Sequence, residues 1–239
     1  STPKPSSAAS DVYKRQAEFS SILKQLLILI ILYTAKNGKG VSNTLLKEIF
    51  WYDKSEQSVR NNRNVNMRKL RKLLEGVGGF EITTDNSYWK MNYTREESVC
   101  DWAQAVMLLN EVQKETAEPA NILPKIVHIA SQGLLLPNSR YEWLDPFKAA
   151  YSDTVVTALG KLREDTIFSA DFKIQLQLSD CILLFDSLDE ESMRIKCLSL
   201  VALGRIGSAK NCFDAFLCEY RQVMGEEYPD SFEKFIQPA

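Results

Sequence analysis

Between Ser55 and Lys72 the chain carries six basic residues and one acid, in the run SEQSVRNNRNVNMRKLRK. The side chains in this run share one chemistry. Asparagine offers a donor–acceptor pair that fits adenine N6 and N7, and the arginine fork fits guanine O6 and N7. Lysine and arginine beside phosphates release condensed counterions. The helix macrodipole favours cations at a helix C-terminus and so accounts for Arg71 and Lys72. It does not account for Arg60, Asn61, Asn62, Arg63, Asn64 and Asn66 in the first half, where four asparagines are poor helix formers.

At 100° per residue, with Leu70 at zero, Val59, Met67, Leu74 and Val77 fall within about 60° of it and Leu73 at the edge. This stripe is the expected buried face. Asn61, Asn64, Val65, Arg68 and Lys72 lie opposite, with Lys69 and Arg71 on the flanks. In a duplex-bound helix, Arg68, Asn66 and Asn61 or Asn62 are expected to face bases. Arg60, Lys69, Arg71 and Lys72 are expected to hold phosphates.

Other side chains offer little chemistry. His128 is the sole histidine, so multi-histidine metal sites and Ser/His/Asp catalysis lack material. It stands in the apolar run Ile126 to Ala130 and is expected as a packed or half-exposed core residue. The five cysteines form no C-x-x-C pair and read as buried, reduced thiols of a cytoplasmic protein. The adjacent pairs Glu96–Glu97, Glu190–Glu191 and Glu226–Glu227 diverge on a helix and make no acid/base couple. Gly76, Gly78 and Gly79 precede a strand rather than a helix N-terminus, so they do not cradle phosphate. Tyr141, Trp143 and Phe147 read as inter-helix core. No enzyme, metal or cofactor is expected.

The elements that would position the basic run are three helices and a hairpin. Ile22 to Ala35 forms the first, stopped by the Asn37-Gly38-Lys39-Gly40 turn. Ser42 or Asn43 caps a second, from Thr44 to about Trp51. Ser55, with Glu56 in the first turn, opens a third that Gly76 closes. Phe80 to Thr84 and Tyr88 to Asn92 flank an Asp85-Asn86-Ser87 turn as a β-hairpin. This is winged-helix order, and residues 17–95 are assigned to it.

A polar joint follows, and residues 99–239 read as helix throughout. Expected elements are Asp101 to Thr116, Ala120 to Gln132, Asp145 to Phe168, Asp171 to Phe185, Asp189 to Leu203, Gly207 to Met224 and Ser231 to Ile236. Amphipathic helices joined by short turns suggest a tetratricopeptide-like stack. The expected fold class is therefore mostly α, a winged helix followed by an all-α stack.

Charge divides the same way. Residues 1 to 99 carry 16 Lys/Arg against 10 Asp/Glu, and residues 100 to 239 carry 13 against 21. A basic front half and an acidic back half imply an anionic partner for the first domain only. The longest apolar run, Leu26 to Tyr33, is too short to span a membrane, and no membrane partner is expected. Residues 1–16 are Ser/Pro/Ala-rich and expected to be disordered. Their SSAASDVYKRQ string also resembles a translated sequencing adapter, which implies a native N-terminus elsewhere and a chain that is part of something longer.

The run VSNTLLKEIFWYDKSEQSVRNNRNVNMRKLRKLLE, followed by ITTDNSYWKM, resembles the OmpR-type winged-helix DNA-binding domain. It is closest to the version in SARP-like bacterial regulators. Trp51, Val65, Leu70, Arg71, Leu74 and Tyr88 occupy the motif places, including the V-x-x-x-x-LR-x-x-L core of the recognition helix. The Asn61 to Arg71 run is similar to the form in multidomain regulators of Bacteroidetes. GLLLPNSRYEWL (Gly133 to Leu144) and the segment Asp189 to Pro229 are similar to parts of the bacterial transcriptional activator domain.

The resemblance implies a sequence-specific transcriptional regulator acting in signal transduction. Its third helix would enter the major groove of double-stranded DNA. Its helical domain would mediate dimer contacts, RNA polymerase contacts or signal input. The sequence departs from the family in three places. No β-sheet precedes the first helix. The hairpin has Thr84 near the usual minor-groove arginine, with Lys90 its only basic residue. Arg63 stands where an aliphatic residue is usual. These departures define an alternative, a protein-interaction scaffold whose winged helix no longer binds DNA.

Overall fold

The computed structural model describes residues 19–76, 79–93, 100–114 and 118–237. The fold is mostly helical with one small sheet. The chain divides into two compact units, Ser1–Ala103 and Gln104–Ala239, with the division falling inside one helix.

In the first unit, α1 (Ser21–Asn37) is apolar almost all round, as suits a helix enclosed on several sides. Leu23, Leu26, Leu29, Ile30 and Leu32 are buried, and α1 packs on strands and on a later helix. Gly38 caps it in the left-handed conformation, its N–H donating to the Thr34 carbonyl. Asn37 organises the next turn: its Oδ1 accepts from the N–H groups of Lys39 and Gly40.

A two-residue strand follows, β1 (Val41–Ser42), which the sequence reading did not foresee. Ser42 then caps α2 (Asn43–Phe50), its hydroxyl accepting from the Leu45 N–H. The third helix, α3 (Glu56–Glu75), is capped by Ser55, which accepts from the Ser58 N–H. Gly76 does close α3, but at φ −74° and not in the left-handed region expected of a terminal glycine. Val77 and Gly78 lie outside the described residues.

Strands β2 (Phe80–Asp85) and β3 (Tyr88–Tyr93) pair antiparallel, and β3 is central, with β1 on its other edge. Asn86 and Ser87 both take positive φ, 45° and 71°, the twist a two-residue hairpin turn requires. Asp85 is therefore the last residue of β2, opposite Tyr88, rather than part of the turn. Along β3, Trp89 and Met91 are buried while Tyr88 is exposed, the alternation of a half-covered strand. The Thr34 hydroxyl of α1 joins helix to sheet, accepting from the Met91 N–H at 3.0 Å and donating to the Ile30 carbonyl at 2.7 Å.

The division between units falls within α4 (Asp101–Lys114). The second unit continues with α5 (Pro119–Ser131) and a 3-10 turn (Glu142–Leu144). Then come α6 (Asp145–Glu164), α7 (Thr166–Ser169), α8 (Phe172–Leu183), α9 (Glu190–Ala202), α10 (Ile206–Met224) and α11 (Phe232–Phe235). The single helix expected over Asp145 to Phe168 is broken at Asp165, whose extended backbone and carboxylate cap the Ile167 N–H. Helix α5 packs on both α6 and α8, α6 on α8, α8 on α9, and α9 on α10. Asp171 and Asp189 cap α8 and α9.

The far end is closed by aromatics. Phe213 and Phe216 of α10 meet Phe235 of α11 at 4.8 and 5.8 Å between ring centroids, and Tyr228 stands edge-on to both. Phe147 is buried, as the core reading expects, while Tyr141 and Trp143 are half-buried and stack on each other at 5.7 Å. His128 is exposed on α5 and not packed. Cys100, Cys181 and Cys197 are buried, but Cys212 is half-buried and Cys218 exposed, so only part of the thiol expectation holds. No helix of the described residues is long and apolar enough to cross a membrane.

Gly40 has φ +89°, and a Cβ there would lie 2.0 Å from the Trp89 carbonyl oxygen. Gly40→Ala is expected to cost about 2–5 kcal/mol, combining left-handed strain with backbone collision. Gly38 has φ +69° but open space around it, so Gly38→Ala should cost about 1 kcal/mol. Urea midpoints of the two variants check this ranking, and equal losses would overturn it. Burial, and then donation to Glu190 at 3.0 Å, pushes the Tyr228 phenol up to about 12. The folded state therefore holds this proton more tightly than an unfolded tyrosine does. Its contribution is complete below pH of about 10 and is lost as pH rises towards 12. Tyr228→Phe should remove that part of the alkaline fall in stability, read from melting temperature against pH.

Candidate nucleic-acid interface

Helix α3 is built from its buried stripe outward. Val59, Met67, Leu70 and Leu74 are at most 6% exposed, as the helical periodicity predicts. At Ser55 the N-terminus is capped, and the first-turn Glu56 pairs with Lys47 of α2. Leu73 is half-buried, at the edge of the stripe.

Outside the stripe, Asn61, Asn64, Val65, Arg68 and Lys72 on the far side and Arg60 and Lys69 on the two flanks are exposed. Among the described residues, no ion pair engages Arg60, Arg68, Lys69 or Lys72. Asn64, Arg68 and Lys72 follow one another at four-residue spacing and line one wall of a groove between α3 and β3. Trp89 and Arg71 contribute to the same groove, whose volume is about 540 Å³.

The remaining residues of the expected contact set are less exposed or locally bonded. Asn66 is half-buried, and its side-chain amide donates to the Asn62 carbonyl at 2.8 Å. Asn62 is also half-buried, with Nδ2 donating to the Ser58 hydroxyl at 3.4 Å. Asn61 is therefore the more accessible of the pair, with Oδ1 accepting from Gln57 Nε2. Arg71 does not extend freely from the flank. Its Nε–H donates to the Ile82 carbonyl at 2.8 Å, and its guanidinium lies 5.3 Å from the Trp89 ring centroid.

One residue departs from its motif assignment, and one was missing from the expected contacts. Val65, a core position in the family motif, is 51% exposed; the helical wheel placed it on the outer face, and the structure agrees with the wheel. Asn64 was on that face but absent from the expected contact set. Its signal was the four-residue spacing to Arg68 and Lys72, legible only once β3 supplies the opposite wall. On the hairpin, Thr84 is exposed and Lys90 half-buried.

Arg63 occupies the place in the buried stripe four residues after Val59 and four before Met67. Its Nε is buried with no hydrogen-bond partner among the described residues. Burial, and then the like charge of Arg60, holds its guanidinium below the usual arginine range, opposed by Glu56. Arg63→Met keeps the length of the side chain and removes the unsatisfied group. It is expected to stabilise the protein by about 1 kcal/mol, read from the urea midpoint. A loss of stability would show that the charged head, not the stem, does the packing.

Elsewhere, the described residues contain no group of three or more His, Cys, Asp or Glu placed to hold a metal ion. The Cys197 thiol is pushed up to about 12 by burial, which suits a packed thiol rather than a nucleophile. Against models of protein families, curated proteins and solved structures, the chain finds no match.

Proposed function

We propose that the first unit is a winged helix that binds double-stranded DNA, with α3 lying in the major groove. One observation carries this reading: an exposed face bearing Arg60, Arg68, Lys69 and Lys72, with no acid between Gln57 and Leu74 to neutralise it. At 1.5 Å per residue, the 20 residues of α3 extend about 30 Å. In this reading Arg68 and Asn61 face base edges, Asn64 lies beside Arg68, and Val65 offers an apolar contact for a thymine methyl. Arg60, Lys69 and Lys72 neutralise phosphates.

The second unit, with 13 basic and 20 acidic residues over Gln104–Ala239, is proposed as a tetratricopeptide-like stack. The succession of contacts from α5 to α10 supports that reading. Its acidic balance suits protein contacts rather than DNA: a second copy, RNA polymerase or a signal input. A dimer would read half-sites about 34 Å apart. The whole is proposed as a cytoplasmic transcriptional regulator of SARP-like type.

The scaffold alternative has one specific observation in its favour. The hairpin tip exposes Thr84, Asp85, Asn86 and Ser87, with no cation among them. Duplex binding across a salt series separates the two readings. About three neutralised phosphates give a slope near −2.7, so a fourfold rise in salt should weaken binding about 40-fold. Lys72→Ala should lower the slope by about 0.9 and weaken all sequences alike. Arg68→Ala should relax base preference, costing about 1–3 kcal/mol on preferred duplexes. Flat, weak binding to every duplex would transfer the reading to the scaffold. Equal losses on preferred and scrambled duplexes would remove Arg68 from base reading.

A further inference from the structure

Arg71 touches both strands of the hairpin from a position on α3. Its Nε–H bonds the Ile82 carbonyl of β2 at 2.8 Å, while its guanidinium faces the Trp89 ring of β3 at 5.3 Å. It lines the groove on each side, between α3 and β2 and between α3 and β3. Trp89 is held in turn from α2, donating its indole N–H to Asn43 Oδ1 at 2.8 Å. The Asn43 backbone N–H donates to the Ser87 carbonyl at 2.9 Å, beside the hairpin turn.

We propose that Arg71 is a positioning residue that fixes the β2–β3 hairpin against α3, making β3 and the Asn64–Arg68–Lys72 row two walls of one preformed groove for duplex DNA, with Lys72 on the sugar–phosphate strand and Arg68 turned to the bases. This rests on the DNA reading of α3 given above. The groove sets Arg68 and Lys72 against the one acid lining it, Glu75, and so favours a polyanion. Arginine performs the positioning through two features that lysine lacks, a directed Nε–H and a flat face that stacks on an aromatic ring. Its charge is incidental to that task. Charge and geometry therefore separate in Arg71→Lys, which keeps the first and loses the second.

The test compares the wild-type chain with Arg71→Lys, Arg71→Gln and the reference variant Lys72→Ala, after circular dichroism shows each to be folded. Hydrogen exchange of the hairpin amides, Thr83 to Met91, is measured without DNA. Affinity for a duplex is measured across salt. Both Arg71 variants should speed hairpin exchange about tenfold, the loss of one charge-assisted hydrogen bond. Both should bind DNA about tenfold more weakly, and Arg71→Lys should keep the wild-type salt slope. Wild-type affinity in Arg71→Lys, with Arg71→Gln losing about 0.9 of the slope, would make Arg71 a phosphate contact and overturn the proposal. Unchanged hairpin exchange in both variants would overturn it as well. A flat salt response in the wild type would reject the DNA reading itself. Accelerated exchange would then leave Arg71 as a contact of the fold alone, so the two failures are distinguishable.

Discussion

Trp89 is the residue on which the first unit closes. Its backbone pairs with Val41 on one side and Thr84 on the other, making β3 the centre of the sheet. The carbonyl leaves no room for a side chain at Gly40. Its indole N–H is satisfied by Asn43 at the start of α2, and its ring lies under Arg71 of α3. A buried indole needs a partner for its N–H. Here that partner is the first residue of a helix, so satisfying the indole also sets where α2 begins. One residue, through backbone and side chain together, thereby couples the turn after α1, two helices and the hairpin.

That coupling explains what could be read from the sequence and what could not. The buried stripe of α3 is a local property: Val59, Met67, Leu70 and Leu74 repeat with the helix, and the periodicity finds them. The Ser42 and Ser55 caps and the hairpin turn are equally local, each written in a few adjacent residues. Strand β1 is not local. Val41 and Ser42 become a strand only because β3 arrives 46 to 48 residues later to pair with them. The role of Arg71 was lost for the same reason. A helical wheel places it on a flank, and nothing on the wheel records that a hairpin carbonyl and an indole face wait there. Asn62 and Asn66 show a different limit. Their amides bond back along their own helix, Asn66 to a backbone carbonyl and Asn62 to a serine hydroxyl, local partners that residue type alone does not foretell.

In the second unit the helical elements were legible, and the error over Asp145 to Phe168 is instructive. Apolar periodicity runs through the segment, and neither Pro146 in the first turn nor Gly160 interrupts the helix. Asp165 nonetheless breaks it, because an extended aspartate can cap the following turn at Ile167. The same capping chemistry opens α8 at Asp171 and α9 at Asp189, so one residue type punctuates three junctions. The aromatic cluster of Phe213, Phe216, Tyr228 and Phe235 lies beyond such punctuation. Its members are spread over 23 residues, and helix α11 is too short to persist without them.

The composition of α3 runs against what helix stability alone would select. Each of its four asparagines is several tenths of a kcal/mol worse than alanine, about 2 kcal/mol together. Arg68 and Lys72 stand at like-charge i,i+4 spacing, which costs a few tenths more. Between Gln57 and Leu74 no acid offers a compensating pair, and Arg63 puts a partly buried charge into the apolar stripe. The helix persists because four buried apolar residues and two caps hold it in place. Its outer face is therefore free of any structural duty, and folding requires neither the asparagines nor the unpaired cations there. Such residues are mildly unfavourable in the free protein. They become favourable beside a polyanion that offers both phosphate charge and patterned hydrogen-bonding edges, which is the physical argument behind the proposal that this face meets duplex DNA.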